Sequence, residues 1–104
     1  MDFQLMNISD IEESDENWGN AILTFKINGF RFILSTTKDP KSGKFYTQIP
    51  LHKDVGICPI CKLKSVGVGH CWRLNQNRSD LVVYLIEQPS IRLNWIFREI
   101  YQPK

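Results

Sequence analysis

The stretch NAILTFKINGFRFILS, residues 20–35, decides the fold of this chain. Apolar and polar side chains alternate over residues 20–27, and a period of two is expected of a half-buried β-strand. Asn28 and Gly29 follow, and an Asn-Gly pair between two apolar runs is a strong hairpin signal, because both residue types tolerate a positive φ. Residues 30–35 return as the partner strand. The stretch therefore predicts an antiparallel β-hairpin around which the remaining chain is arranged.

Shorter strand signals flank this hairpin. Residues 3–8 predict a first strand, whereas the acidic stretch 9–17 predicts a turn or loop, because Ser, Asp and Asn favour hydrogen bonds to their own local backbone. After a basic turn at residues 38–44, residues 45–49 predict another strand, which Pro50 ends.

The C-terminal third is predicted to add a strand to the core. Residues 81–86 form the most β-branched run of the chain, which indicates a central buried strand, and residues 72–74 alternate as a short strand. Residues 90–101 fit both a strand and one face of a helix with Ser90 as its N-cap, and we expect the helix.

These patterns place the chain in the mainly β (α+β) class, as one domain of 104 residues. We expect a twisted antiparallel sheet of hairpins over residues 1–50, a zinc-knuckle loop within a Cys/His segment over 51–74, and the central strand with a short C-terminal helix or strand over 75–104. Four phenylalanines are core candidates, and two tryptophans are assigned to the core or to a dimer interface: Phe25, Phe30, Phe32 and Phe97, and Trp18 and Trp95.

The composition is that of an ordinary globular domain, with 42% hydrophobic and 23% charged residues. No apolar run approaches the roughly 18 residues that span a bilayer, and the N-terminus lacks the basic segment and cleavage site of a secretory signal. We therefore expect a cytoplasmic protein without membrane contact. Three cysteines, an odd number, argue against a disulfide framework.

The charge is unevenly distributed along the chain. Residues 1–17 contain six acidic residues and no basic one, whereas residues 18–104 contain all 13 Lys and Arg against five acidic residues, a surplus of eight positive charges. A positively charged segment of this kind is suited to binding a polyanion such as nucleic acid. The alternative is that these charges only keep the protein soluble. The acidic start is either a solvated loop or a cover for the basic face when no ligand is bound.

Two cysteines separated by Pro59 and Ile60, with a third cysteine further along, predict a metal site. A Cys-Pro-x-Cys turn holds the thiolates of Cys58 and Cys61 on the same side of a tight loop, which supplies half of a tetrahedral zinc site. We select Cys71 as the third ligand. Zinc is therefore the predicted cofactor.

The fourth ligand is one of two histidines. We select His70, although a regular strand would direct its side chain to the opposite face from Cys71. Gly67 and Gly69 favour a loop that could bring His70 and Cys71 to one ion. His52, six residues before the first cysteine, is the alternative.

Other roles for the cysteines are weaker. A redox-active Cys-x-x-Cys pair is expected in a βαβ context, which is missing here, and plain buried thiols are the remaining alternative. A catalytic zinc would need an open coordination position and a nearby base, and Asp54 is the single acidic residue close in sequence. No catalytic motif is present, so we predict that the protein is not an enzyme.

Four segments of the first half carry a family resemblance: MNISDI at 6–11, GNAILTF at 19–25, FIL at 32–34 and GKFYTQIP at 43–50. They resemble the SpoVG-like septation and regulatory family, which opens with Met-x-Ile-Thr-Asp-Val and continues with a Gly-x-x-x-Ala strand, a Phe-Val-Val strand and a Gly-x-Phe-x-x-x-Pro segment. The resemblance spans residues 6–53 and implies a twisted antiparallel sheet, dimerisation through strand edges and regulatory binding of DNA or RNA. Where the family has a charged helix linked to nucleic-acid recognition, this chain has its Cys/His segment and an apolar run.

A basic surface with aromatic side chains predicts binding of single-stranded DNA or RNA, through phosphate contacts and stacking on unpaired bases. The residues expected to form this surface are Lys38, Lys41, Lys44, Tyr46, Lys62, Lys64, Trp72, Arg73 and Arg78. The alternative function is a small protein-interaction module or inhibitor that pairs through an exposed strand edge. In both cases we expect a regulator, and a homodimer.

Overall fold

The computed structural model describes residues 1–17, 20–38, 41–42 and 45–91. A 3₁₀ turn at Phe3–Leu5 precedes seven strands and two helices within these ranges. Their bounds are β1 Ile8–Asn17, β2 Asn20–Ile27, β3 Phe30–Lys38, β4 Phe45–Thr47, β5 Leu51–His52, β6 Val55–Ile57, β7 Lys64–Val66, α1 Trp72–Gln76 and α2 Arg78–Ile86.

The predicted central hairpin is confirmed. Strands β2 and β3 pair antiparallel in an unbroken register in which Phe25 lies opposite Phe32. Asn28 and Gly29 have φ angles of 50° and 80°, the positive values that a two-residue type I′ turn requires. The main sheet has the order β1-β2-β3-β4, with β5 also pairing β3, and β6 and β7 form a separate two-stranded sheet.

The prediction for the N-terminal residues was wrong. Residues 3–5 form a 3₁₀ turn, because the Asp2 carboxylate accepts a hydrogen bond of 3.0 Å from the Gln4 backbone N–H. The acidic stretch assigned to a loop is instead the edge strand β1, which pairs with β2 along its length. The backbone hydrogen bonds to β2 outweigh the preference of Ser and Asp for local hydrogen bonds. Asp10, at φ 50°, lies at a register shift, and its carboxylate forms an ion pair with Lys26.

The strands predicted at 72–74 and 81–86 were also wrong, because these residues form α1 and part of α2. The buried side chains of α2 are Leu81, Val82, Leu85 and Ile86. This spacing of one, then three, then one is that of a helix face, whereas a strand would bury alternate residues. The strand preference of β-branched residues is overridden here, because the helix buries four side chains of this run in one core.

The predicted fold class, mainly antiparallel β with a short helix late in the chain, is confirmed. The described helix late in the chain is Arg78–Ile86. Of the helix or strand predicted at 90–101, Ser90 stands in a turn and Ile91 is outside regular structure, whereas residues 92–101 lie outside the described ranges. Trp18, Trp95 and Phe97 lie outside them as well.

One buried cluster joins the sheet to the helices. Its members from β2, β3 and α2 include Phe25, Phe32, Leu34, Leu81 and Leu85, each at most 1% exposed. Cys58 and Cys71 belong to the same cluster, so the cysteine segment packs directly on the core. No helix in the described part of the chain combines the length and apolarity needed to cross a membrane.

Candidate metal centre

The turn between β6 and β7 holds the Cys58 and Cys61 thiols. The Cys58 N–H donates to the Leu63 carbonyl and the Lys62 N–H donates to the Cys58 carbonyl, both at 3.0 Å. Lys62 closes the turn with a positive φ of 64°. The backbone N–H groups of Ile60 and Cys61 both donate to the Cys58 sulfur at 3.4 Å. Such N–H groups offset the negative charge of a metal-bound thiolate.

A backbone pairing between residues 50–52 and 69–71 positions the other two candidate ligands, His52 and Cys71. The His52 N–H donates to the Gly69 carbonyl and the Cys71 N–H donates to the Pro50 carbonyl, both at 2.8 Å, and Leu51 forms an antiparallel bridge with His70. Because side chains alternate along paired segments, His52 and Cys71 project to one face and His70 projects to the other.

The structure therefore places His52, the alternative fourth ligand, beside the three cysteines instead of His70. His52, Cys58, Cys61 and Cys71 form the cluster, whereas the exposed His70 is not part of it. The His70 ring instead lies edge-on to the Trp72 ring, with 5.2 Å between centroids.

The cluster has the dimensions of a tetrahedral metal site. All four ligand atoms lie within 4.8 Å of one another, with 3.9 Å between the Cys58 and Cys71 sulfurs and 3.4 Å between the Cys61 sulfur and His52 Nε2. Tetrahedral zinc, with bonds of about 2.3 Å to sulfur and about 2.0 Å to nitrogen, places two sulfurs about 3.8 Å apart and a sulfur about 3.5 Å from a nitrogen. These two distances match a tetrahedral site, and the cluster could thus hold a metal ion.

Packing fixes the imidazole in place. His52 is buried, and the centroid of its ring lies 5.8 Å from that of Phe30, edge-on, and 5.9 Å from that of Phe32. The His52 side chain, from the short strand β5 beside β3, is thus packed against two phenylalanines of β3, which preorganises one candidate ligand before a metal binds.

Burial dominates the electrostatics of the cluster. Desolvation raises the pKa of the Cys58 thiol and raises the pKa of Cys71 to about 12. Desolvation also lowers the pKa of His52, and a hydrogen bond with the Gly69 backbone partly opposes this shift. A neutral imidazole is ready to bind a metal, whereas the thiols must give up protons to do so. Metal binding is therefore expected to release protons.

Four of the nine residues assigned to nucleic-acid binding are exposed within one segment of the chain. Lys62, Lys64, Trp72 and Arg73 are exposed in or beside the cysteine segment. Arg78 is half-buried, and its guanidinium donates to the Thr47 carbonyl at 2.7 Å. Lys41 is exposed in a turn, Lys44 lies outside the described residues, and the side chains of Lys38 and Tyr46 are not described.

The sequence analysis missed a group of exposed aliphatic side chains. Five of them have 63–74% of their surface exposed, and they all lie between residues 55 and 68: Val55, Ile57, Leu63, Val66 and Val68. Part of the signal was present, since Val55 and Ile57 before the Cys-Pro-x-Cys turn, and Val66 and Val68 after it, stand at every second position. Leu63 falls outside this pattern.

Comparison with protein-family models, with curated proteins and with solved structures found no match. The resemblance to the SpoVG-like family thus stays a prediction, and function has to be argued from the cluster and the surface around it.

Proposed function

We propose that the chain is a non-enzymatic interaction module in which one structural zinc ion, bound by His52, Cys58, Cys61 and Cys71, holds a binding surface in place. The observation that carries the proposal is the closed set of four ligand atoms within 4.8 Å, three of whose residues are buried. Three sulfurs and one imidazole nitrogen are a ligand set typical of structural zinc.

A structural role fits the number of ligands. Four protein ligands fill a tetrahedral ion, whereas a catalytic zinc keeps one position for water or substrate. Asp54, the acidic residue close in sequence, is committed to Arg31, whose backbone N–H and Nε donate to its carboxylate at 2.9 and 2.7 Å. This arrangement supports a site that stabilises the fold.

Metal content tests this proposal. Native mass spectrometry of the purified protein should show one zinc per chain, and the same spectrum reports whether the protein is the homodimer that the resemblance suggests. A strong chelator should lower the melting temperature markedly, because metal binding and folding are coupled in such sites. A metal-free protein with the same melting temperature in the presence and absence of chelator would rule out the structural ion.

The surface beside the zinc site favours a protein as partner. Exposed aliphatic side chains grouped on one small hairpin are typical of protein contacts, whereas nucleic-acid surfaces rely on aromatic and cationic side chains. We therefore place the interaction module first, with an exposed strand edge as the means of contact.

Binding of single-stranded DNA or RNA in a cytoplasmic regulatory role is the second candidate. Lys62, Lys64, Arg73 and Trp72, which are exposed in or beside the same segment, favour it. Affinity for a labelled thymidine oligonucleotide should then fall steeply between about 50 and 200 mM salt, because phosphate contacts release counterions. No binding at low salt would eliminate this candidate and leave the zinc site unaffected.

A further inference from the structure

Strand β7 presents an unpaired backbone edge. The bond from the Cys58 N–H to the Leu63 carbonyl marks these two residues as a hydrogen-bonded pair of the hairpin. Such pairs alternate with non-bonded ones along an antiparallel ladder, so Lys64 and Val66, which lie opposite Ile57 and Val55, direct their N–H and C=O groups away from β6. Among the described residues, no other strand pairs with β7.

The side chains of this edge are arranged for a strand partner. Lys64 and Val66 are exposed on one face of the two-stranded sheet, whereas Ser65 between them is buried and donates to the Asp54 carbonyl at 2.7 Å. The buried hydroxyl also accepts a bond of 3.1 Å from the Gly67 N–H. Ser65 thus holds β7 in place while the outer edge and the apolar face stay open.

The charges around the edge indicate the chemistry of the partner. Residues 55–79 contain no Asp or Glu. Lys62, Lys64 and Arg73 are exposed within this range, and the flanking Asp54 is paired with Arg31. A ligand that covers the aliphatic side chains here also meets these positive charges, which form no ion pair with a described residue, so an acidic and apolar segment is the complementary partner.

From these observations we infer that β7 binds an extended peptide segment that adds as a third strand to the β6–β7 sheet. The segment presents apolar and acidic side chains on the same face, at every second position, next to Val66 and Lys64. Backbone groups of Lys64 and Val66 supply the hydrogen bonds, the exposed valines bind the apolar side chains, and the lysines select the acidic ones. This inference rests on the proposed interaction module and names its edge and the class of its partner.

The test uses the zinc-loaded protein of 104 residues and blocked octapeptides. The first peptide is Thr-Val-Thr-Asp-Thr-Val-Thr-Asp, in which valine and aspartate share one face of an added strand. The second has lysine in place of aspartate, and the third is a shuffle of the first with a central proline. We expect the aspartate peptide to shift the amide resonances of residues 63–68 and to bind at least about tenfold more tightly than the other two. Equal binding of all three peptides, or shifts confined to other residues, would overturn the inference.

Val66→Pro tests the backbone contact. It removes an N–H that points away from β6, so the hairpin keeps its own ladder while an added strand loses a donor. Affinity for the aspartate peptide should fall at least about tenfold. Val66→Thr, which keeps the donor and the β-branched shape, is the matched control and should retain most of the affinity. Unchanged binding by the proline variant would contradict strand addition.

Charge reversal provides a test that leaves the backbone intact. The double variant Lys62→Glu with Lys64→Glu should lose affinity for the aspartate peptide and gain it for the lysine peptide, and an unchanged preference would refute selection by these lysines. Zinc content, measured on the same samples, separates the two proposals, because zinc-loaded protein that binds no peptide overturns this inference alone. Shifts of residues 63–68 by a thymidine octanucleotide, without peptide binding, would assign the surface to nucleic acid.

Discussion

Replacing each histidine separately is the sharpest test of the metal centre. His52→Asn removes a ligand atom that lies 3.4 Å from the Cys61 sulfur, whereas His70→Asn changes an exposed ring outside the cluster. Structural zinc sites bind with an apparent free energy of about 10–16 kcal/mol, so an equal share for one of four ligands is about 2.5–4 kcal/mol. At about 1.4 kcal/mol per tenfold change, the affinity for zinc should fall by about two to three orders of magnitude.

Competition with a chromogenic chelator measures this difference directly. Cobalt can replace zinc in the same experiment, because its absorption reports the number of bound sulfurs and the tetrahedral geometry. We expect wild type and His70→Asn to give the same curve and the same spectrum. Loss of metal from His70→Asn, with normal binding by His52→Asn, would mean that the pairing of residues 50–52 with 69–71 has been misassigned.

Three further changes test the fold. Leu85→Ala empties a fully buried position on α2 and should lower the free energy of unfolding by about 2–5 kcal/mol in urea titrations, whereas Val68→Ala on the surface should change it by less than about 0.5 kcal/mol. Gly29→Ala places a side chain at φ 80°, where no neighbouring atom clashes with it. It should lower the free energy of unfolding by about 1 kcal/mol, because L side chains disfavour a positive φ. Hydrogen bonds from the Arg31 backbone and then its guanidinium lower the pKa of Asp54, so its stabilisation is complete above about pH 4 and is lost as the pH falls through the folded-state pKa. Asp54→Asn should therefore melt below wild type at neutral pH, and a difference that persists at pH 2 would contradict this reasoning.

Local signals explain what the sequence could predict. An Asn-Gly pair and a period of two are properties of contiguous residues, and they identify β2, β3 and the turn between them. The turn that holds Cys58 and Cys61 is equally local, because its hydrogen bonds lie within residues 58–63. Predictions of this kind need no knowledge of which distant segments come together.

The errors arose where a distant partner decides the outcome. The acidic residues of β1 have little strand preference of their own, and they form a strand because β2 offers a ladder. The run at 81–86 has the composition of a strand, and it forms a helix because four of its side chains then reach one core. Neither partner can be inferred from the local pattern.

The choice between His52 and His70 shows the same limit at the level of a single atom. The alternation of side chains along a strand could be read from the sequence. It selects His52 only because residues 69–71 are extended and paired with residues 50–52. Once that pairing exists, the face of each side chain follows from the period of two.

The positions of the four candidate ligands also indicate what a bound ion would do for the fold. His52 ends β5 of the main sheet, Cys58 and Cys61 belong to the β6–β7 turn, and Cys71 is the N-cap residue of α1. The turn and both small strands are too short to be stable alone, since an isolated two-stranded hairpin is marginal in water. A metal ion that joins all three segments therefore fixes the β7 edge relative to the core. Chelation should accordingly loosen residues 53–71 before the central β2–β3 hairpin, whose stability comes from its own buried phenylalanines and the helix packed against them.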